Sequence, residues 1–195
     1  MVLILGGIKM KKIIFVTGNK HKLEIAQSVL GLYDINVENV ILENVDEIQD
    51  TNIENIAFKS ALQASRMINQ PVIKSDVGFE IDALNGFPGA FGKYVFEQLG
   101  TEEILKLLED KTNRHGKAIE VLAYAEPNGN VKTFRMDTEF EIRMTPKGIG
   151  SVMDKLMNID GQKTNYGSLS LDEKLKWWKE TDNYFHDFAK WFLHF

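Results

Sequence analysis

The alternation of short β-branched runs with amphipathic helical stretches constrains this chain more than any other feature. Ile13–Val16 reads as a buried strand that breaks at Thr17-Gly18-Asn19, a turn with helix-capping character. Leu23, Ala26, Val29 and Leu30 then fall on one helical face, and Val37–Leu42 reads as a second strand. Asn52–Ile68 is the clearest helix, with Ile53, Ile56, Ala57, Ala61, Ala64 and Ile68 at the helical period. Pro71–Lys74 opens a third strand expected to end at Ser75-Asp76-Val77-Gly78; Phe79–Leu84 alternates and breaks at Asn85-Gly86-Phe87-Pro88-Gly89. Helices over Gly92–Leu99 and Thr101–Leu108 follow. Ala118–Ala125 and Val131–Met136 form a hairpin through Pro127-Asn128-Gly129, and Glu139–Arg143 continues as strand. Ser151–Met157 and Leu171 to the C-terminus read as helical. Strand and helix in this order predict a mixed α/β domain.

With 195 residues the chain fits one domain, residues 10–195. Met10-Lys11-Lys12 looks like a second start, so residues 1–9 are read as an N-terminal extension, too short in its apolar part for a signal sequence or a membrane span. The absence of cysteine excludes disulfides, thiolate zinc sites and a cysteine nucleophile. A net charge of −5 argues against a nucleic acid polymer as partner, but not against a small anion held in a local basic pocket. The expectation is a soluble cytoplasmic protein with no membrane partner.

Three stretches could carry chemistry. In Thr17-Gly18-Asn19-Lys20-His21-Lys22, the unpaired amides opening a helix can cradle phosphate. Lys22 stands within reach, Thr17 and Asn19 supply hydrogen bonds, and His21 could favour anions; the alternative is an ordinary capped turn with a solvated lysine. Glu54 and Lys59 share a helix, but five residues put them about 140° apart, so they border a cleft only if it runs along the helix. Asp76, at the end of an apolar strand, suits metal binding or proton abstraction, and with Glu54 could hold Mg²⁺, which takes one or two carboxylates plus substrate phosphates. A turn aspartate is the plainer reading. The aromatic set Trp177, Trp178, Tyr184, Phe185, Phe188, Trp191, Phe192 and Phe195 reads as core or dimer contact.

Together these stretches resemble the inosine triphosphate pyrophosphatase (Ham1-like) family. VTGNKHK matches its Ser/Thr-Gly-Asn-x-x-Lys turn, IENIAFKSA its ENAxxKA helix, and SDVGFEIDALNGFPGAF its acidic-DSGLxVDALxGFPGxY segment. The resemblance implies an elongated two-lobed α/β domain around a long twisted mixed sheet with flanking helices, usually a homodimer. It implies hydrolysis of noncanonical purine nucleoside triphosphates, inosine or xanthosine type, to monophosphate and pyrophosphate with Mg²⁺. By position, Asp76 matches the general base, Glu54 a metal carboxylate alongside Asp76, and Thr17, Gly18, Asn19, Lys22 and Lys59 triphosphate contacts.

The C-terminal half departs from the pattern. GSVMDKLM stands where the family has GFGYDPIF, so Asp154 is kept while Ser151 replaces the aromatic that packs on the base. SLSLDEK keeps Lys174, but the Ser-His-Arg that reads the 6-keto group is replaced by Trp177, Trp178, Lys179 and Glu180. Ser75 replaces an acidic residue, and Val77 a Ser or Thr. A donor-poor base pocket implies altered base selectivity. Two alternatives stay open: a non-catalytic nucleotide-binding or interaction protein on the same fold, and a hydrolase of another phosphorylated substrate such as a modified pyrimidine nucleotide.

Overall fold

The computed structural model describes residues 11–46, 48–159 and 164–195; the extension read at 1–9 lies outside them. Strand β1 (Lys11–Val16) is buried from Ile13 onward on both faces, as its unbroken apolar run requires of a central strand. It pairs in parallel with β2 (Ile35–Val40) on one side and β3 (Val72–Ile81) on the other. The sheet continues antiparallel through β5 (His115–Ala125), β6 (Val131–Ile142) and β7 (Met157–Ile159), while the two-residue β4 (Pro88–Gly89) pairs with the far end of β3. The sheet is therefore mixed, as expected.

Helix α2 (Ile53–Ile68) lays Ile53, Ala57 and Ala61 on one face of the sheet against Ile119, Val121 and Ala123. Its alanines let helix and sheet approach closely, and where Ile53 meets β3 the strand carries Gly78, whose added Cβ would lie 2.6 Å from Ile53 Cδ1. The opposite face carries α1 (Lys20–Leu30), α5 (Leu171–Glu180) and α6 (Tyr184–His194). Their aromatics, including Trp178, Phe185, Phe188 and Phe192, are core, packed on Phe15, Ile73 and Tyr124. A second cluster around Phe140, Ile81 and Leu156 fills the far end of the sheet beneath α3 (Gly92–Lys106) and α4 (Val152–Leu156).

Four expectations change. The strand expected to stop at Ser75-Asp76-Val77-Gly78 runs unbroken to Ile81, because β5 pairs with all ten of its residues; a tertiary partner overrides the local turn signal. The second strand starts two residues earlier and ends two earlier, its register set by β1. The helix expected over Ser151–Met157 is only α4, capped by Ser151, and its last residue opens β7. The helix from Leu171 is two helices, broken at Thr181-Asp182-Asn183. The two helical stretches either side of Gly100 do form, joined through a kink at that glycine (φ 69°). Among the described residues no helix is long and apolar enough to cross a membrane.

Asn183 sets the break between α5 and α6. Its buried side chain donates to the Trp178 and Thr181 carbonyls, at 2.6 and 2.8 Å, and accepts from the Phe185 amide at 2.9 Å. Asn183→Ala leaves these groups unmet in the core, and is expected to cost about 2–3 kcal/mol, read as a lower urea midpoint at unchanged m-value.

Candidate active site

The site follows from the lengths of three strands. β1 ends at Val16 and pairs with β3 only at Val72 and Ile73, while β4 picks up β3 again only at Phe79 and Glu80. Between them, residues 74–78 of β3 have a strand partner on the β5 side alone. That gap opens a cleft of about 1370 Å³, larger than the 300–1,000 Å³ usual for small-molecule sites.

The turn after β1 faces this gap. Asn19 caps α1 by accepting from the Lys22 amide at 3.1 Å, and the Asn19 amide in turn donates to Thr17 Oγ1 at 3.0 Å. Both side-chain oxygens are thus spent on building the turn, leaving the Thr17 hydroxyl proton and the Asn19 NH₂ as donors. A Cβ added at Gly18 would meet nothing within 4 Å; its backbone is open to a ligand. The first turn of α1 holds Lys20, His21 and Lys22 and no acidic residue, so the helix end is positive, with Glu24 reaching back toward Lys20 at 3.6 Å. Lys22 crosses the gap and donates to the Ser75 carbonyl at 3.3 Å.

Asp76 lies next along β3, in mid-strand rather than at a strand end. It nevertheless stands just beyond the last parallel pair, which preserves the usual position at the carboxyl edge of a parallel sheet. Its Oδ1 accepts from the Val77 amide at 2.9 Å. Val77 lines the cleft with an apolar side chain. The Oγ of Ser75 and Oγ1 of Thr138, both on the cleft wall, are buried without a hydrogen-bond partner among the described residues; such atoms are met in native structures by water or ligand.

The other predicted residues divide. Ser151 and Asp154 border the cleft, but their side chains form a reciprocal cap on α4: the Ser151 amide donates to Asp154 Oδ2 at 2.7 Å and the Asp154 amide to Ser151 Oγ at 3.2 Å. Lys174 is buried behind the wall, its Nζ 4.7 Å from the centre of the Tyr166 ring. Glu54 and Lys59 fall on opposite flanks of α2. Glu54 accepts from the Thr133 hydroxyl of β6, on the sheet face that Asp76 shares. Lys59 is exposed in a separate groove with Gln63 and Arg66, though its charge reaches Asp50 on the cleft rim. The structure therefore gathers residues 17, 18, 19, 22, 76, 77, 151 and 154 in one cleft and leaves 54, 59 and 174 around it.

Sequence reasoning missed the cleft's other polar wall. Glu120 of β5 is registered opposite Val77. Burial pushes its carboxyl up and Lys22 and Tyr184 pull it back, while Asp154 adds to the rise. Burial and the neighbouring Glu120 hold the Tyr184 hydroxyl well above its ordinary range. A lone charge inside the apolar run Ala118–Ala125 was the available signal. Beside it, the Tyr166 hydroxyl accepts from Trp178 Nε1 at 3.0 Å and lies 3.5 Å from His21 Nε2. At His21, burial and then Lys174 lower the pKa from the ordinary imidazole range, against Asp154 and Glu24. His186 lies outside the cleft lining, bonded to Tyr33 at 2.8 Å and facing the Lys179 carbonyl at 3.2 Å.

The Ham1 family profile matches residues 13–179. The chain is 38% identical to a dITP/XTP pyrophosphatase of Methanopyrus kandleri, over 93% of this chain and 96% of that one. It is 31% identical to an inosine triphosphate pyrophosphatase of Saccharomyces cerevisiae, over 84% of this chain and 87% of the other. Among solved structures it superposes on a HAM1 protein from Coxiella burnetii with a TM-score of 0.77 at 20% identity, covering 95% and 100% of the two chains. That last likeness speaks for the fold alone.

His21 titrates below 6.5 in the folded protein. As pH falls past that value the unfolded chain takes up the proton first, so His21 subtracts stability in acid and contributes nothing above it. Lys174→Met is expected to move its NMR titration midpoint upward; no movement would remove Lys174 as a cause.

Proposed function

The chain belongs to the Ham1 family, and we propose that it hydrolyses noncanonical purine nucleoside triphosphates of the dITP and XTP kind to monophosphate and pyrophosphate. The observation that carries this reading is the convergence, across one gap in the sheet, of the α1 amide turn, Lys22 and Asp76.

The chemistry follows from the parts. The Thr17–Lys22 turn and the Lys22 ammonium bind the phosphate chain and orient it, which supplies most of the positioning such a reaction needs. Asp76 accepts a proton from water as the water oxygen bonds to the α-phosphorus and the bond to the pyrophosphate leaving group breaks. Water is consumed and monophosphate and pyrophosphate leave. No cluster of three His, Cys, Asp or Glu side chains exists among the described residues. A Mg²⁺ ion fits such a site, since it is commonly held by one or two carboxylates with the substrate's own phosphates. Asp76, which lines the cleft, would hold it with those phosphates, while Glu54, the second carboxylate the resemblance assigns, lies on the same sheet face but outside the cleft lining; the ion would neutralise charge on the phosphoryl oxygens.

Phe79, Ala118, Met157, Ile159 and Trp177 give the cleft an apolar stretch, which we assign to the base, and the buried Thr138 hydroxyl beside them has no partner among the described residues. An apolar pocket discriminates weakly, so preference for dITP over dATP is expected at about 10–200-fold rather than the larger ratios of a hydrogen-bonded site. A homodimer and a cytoplasmic location belong to the same proposal and rest on the resemblance.

Pyrophosphate release should be measured with dITP, XTP, dATP and dGTP in the presence of Mg²⁺. Asp76→Asn is expected to lower kcat by about 10²–10⁴-fold, with the folded state intact by circular dichroism. Nucleotide binding without product from the wild-type protein would replace this reading by that of a non-catalytic binder.

A further inference from the structure

Glu120 is a charged residue in a strand built to be buried, and the site described above gives it no task. Its register opposite Val77 puts its side chain on the sheet face shared by Val77 and, one pair along, Ser75. Diagonal neighbours of this kind lie about 7–8 Å apart, within reach of a long side chain. Lys22 and Glu120 line the same cleft: the Lys22 ammonium donates to the Ser75 carbonyl, and its charge is the largest influence favouring ionised Glu120. The Tyr184 hydroxyl, from α6, also favours the ionised carboxyl.

Position 75 is where the resemblance expects an acidic residue, and the serine here leaves its Oγ buried without a partner among the described residues. One acidic side chain is missing from β3, and one is present on β5, on the same face, beside the same lysine. We propose that Glu120 supplies from β5 the carboxylate that position 75 lacks, acting as a positioning residue that holds Lys22 for the phosphates. This rests on the triphosphate reading above. A lysine carries three protons on a flexible four-carbon stem, so one carbonyl does not fix its direction. The Ser75 carbonyl takes one proton and Glu120 supplies the opposing charge, which is stronger for being shielded from water.

Moving the carboxylate between strands tests this. Glu120→Gln, close to isosteric, is expected to lower kcat/KM for dITP by about 10–100-fold, chiefly through KM, and to weaken calorimetric binding of inorganic tripolyphosphate in parallel. Ser75→Glu added to Glu120→Gln should restore both readouts, which a merely structural role of Glu120 would not permit. Glu120→Gln indistinguishable from wild type, or no restoration by the relocated carboxylate in a folded protein, overturns the inference. Should the relocated variant not fold, Lys22→Met decides: Glu120→Gln introduced into Lys22→Met is expected to add no further loss, and fully additive losses overturn the inference. A wild-type protein inactive on both dITP and XTP overturns the functional reading instead.

Discussion

One strand outlasting its parallel neighbour is the constraint on which the site depends. β3 is ten residues long, yet β1 covers only its first two and β4 only two near its far end. Backbone groups along an uncovered edge need partners, since unpaired amides and carbonyls are costly wherever water is restricted. Here side chains provide them: Lys22 meets the Ser75 carbonyl and Asp76 meets the Val77 amide. The polar groups that complete the sheet are the same ones that a phosphate chain would meet, so the local cost of the gap and its chemical use are one feature.

The second half of the molecule turns a weak pattern into a tight aromatic layer. Trp178 packs edge to face on Tyr184 and Phe185, and Asn183 ends one helix and starts the next so that both lie on the sheet. That layer consumes donors that would otherwise face the cleft. Trp178 donates to Tyr166, and His186 is held between the Tyr33 hydroxyl and the Lys179 carbonyl. What remains at the base end is mostly apolar surface, while the charge stays at the gap.

The element order, the α1 cap and the α2 face were legible because each is local: an apolar run, an asparagine before a helix, a 3.6-residue stripe. The Ser75-Asp76-Val77-Gly78 stretch was not legible as strand, because its turn-like residues are held extended by β5, some forty positions away. Glu54 and Lys59 carry the motif of a shared helix, but helical rotation sends them to opposite flanks. Glu120 stood out as a charge among apolar neighbours, yet only its register with Val77 gives it a place in the cleft.

By itself, then, the amino-acid order determined the mixed α/β class, the anion-ready turn at Thr17–Lys22 and the identity of Asp76, since periodicity, capping and composition act over a few residues. The tertiary structure alone decided where β3 loses its partner, which side chains cross that gap, and which donors are spent in the aromatic layer. Strand lengths and register are settled by pairing between segments far apart in the chain, and no short stretch of sequence encodes what it will be paired with.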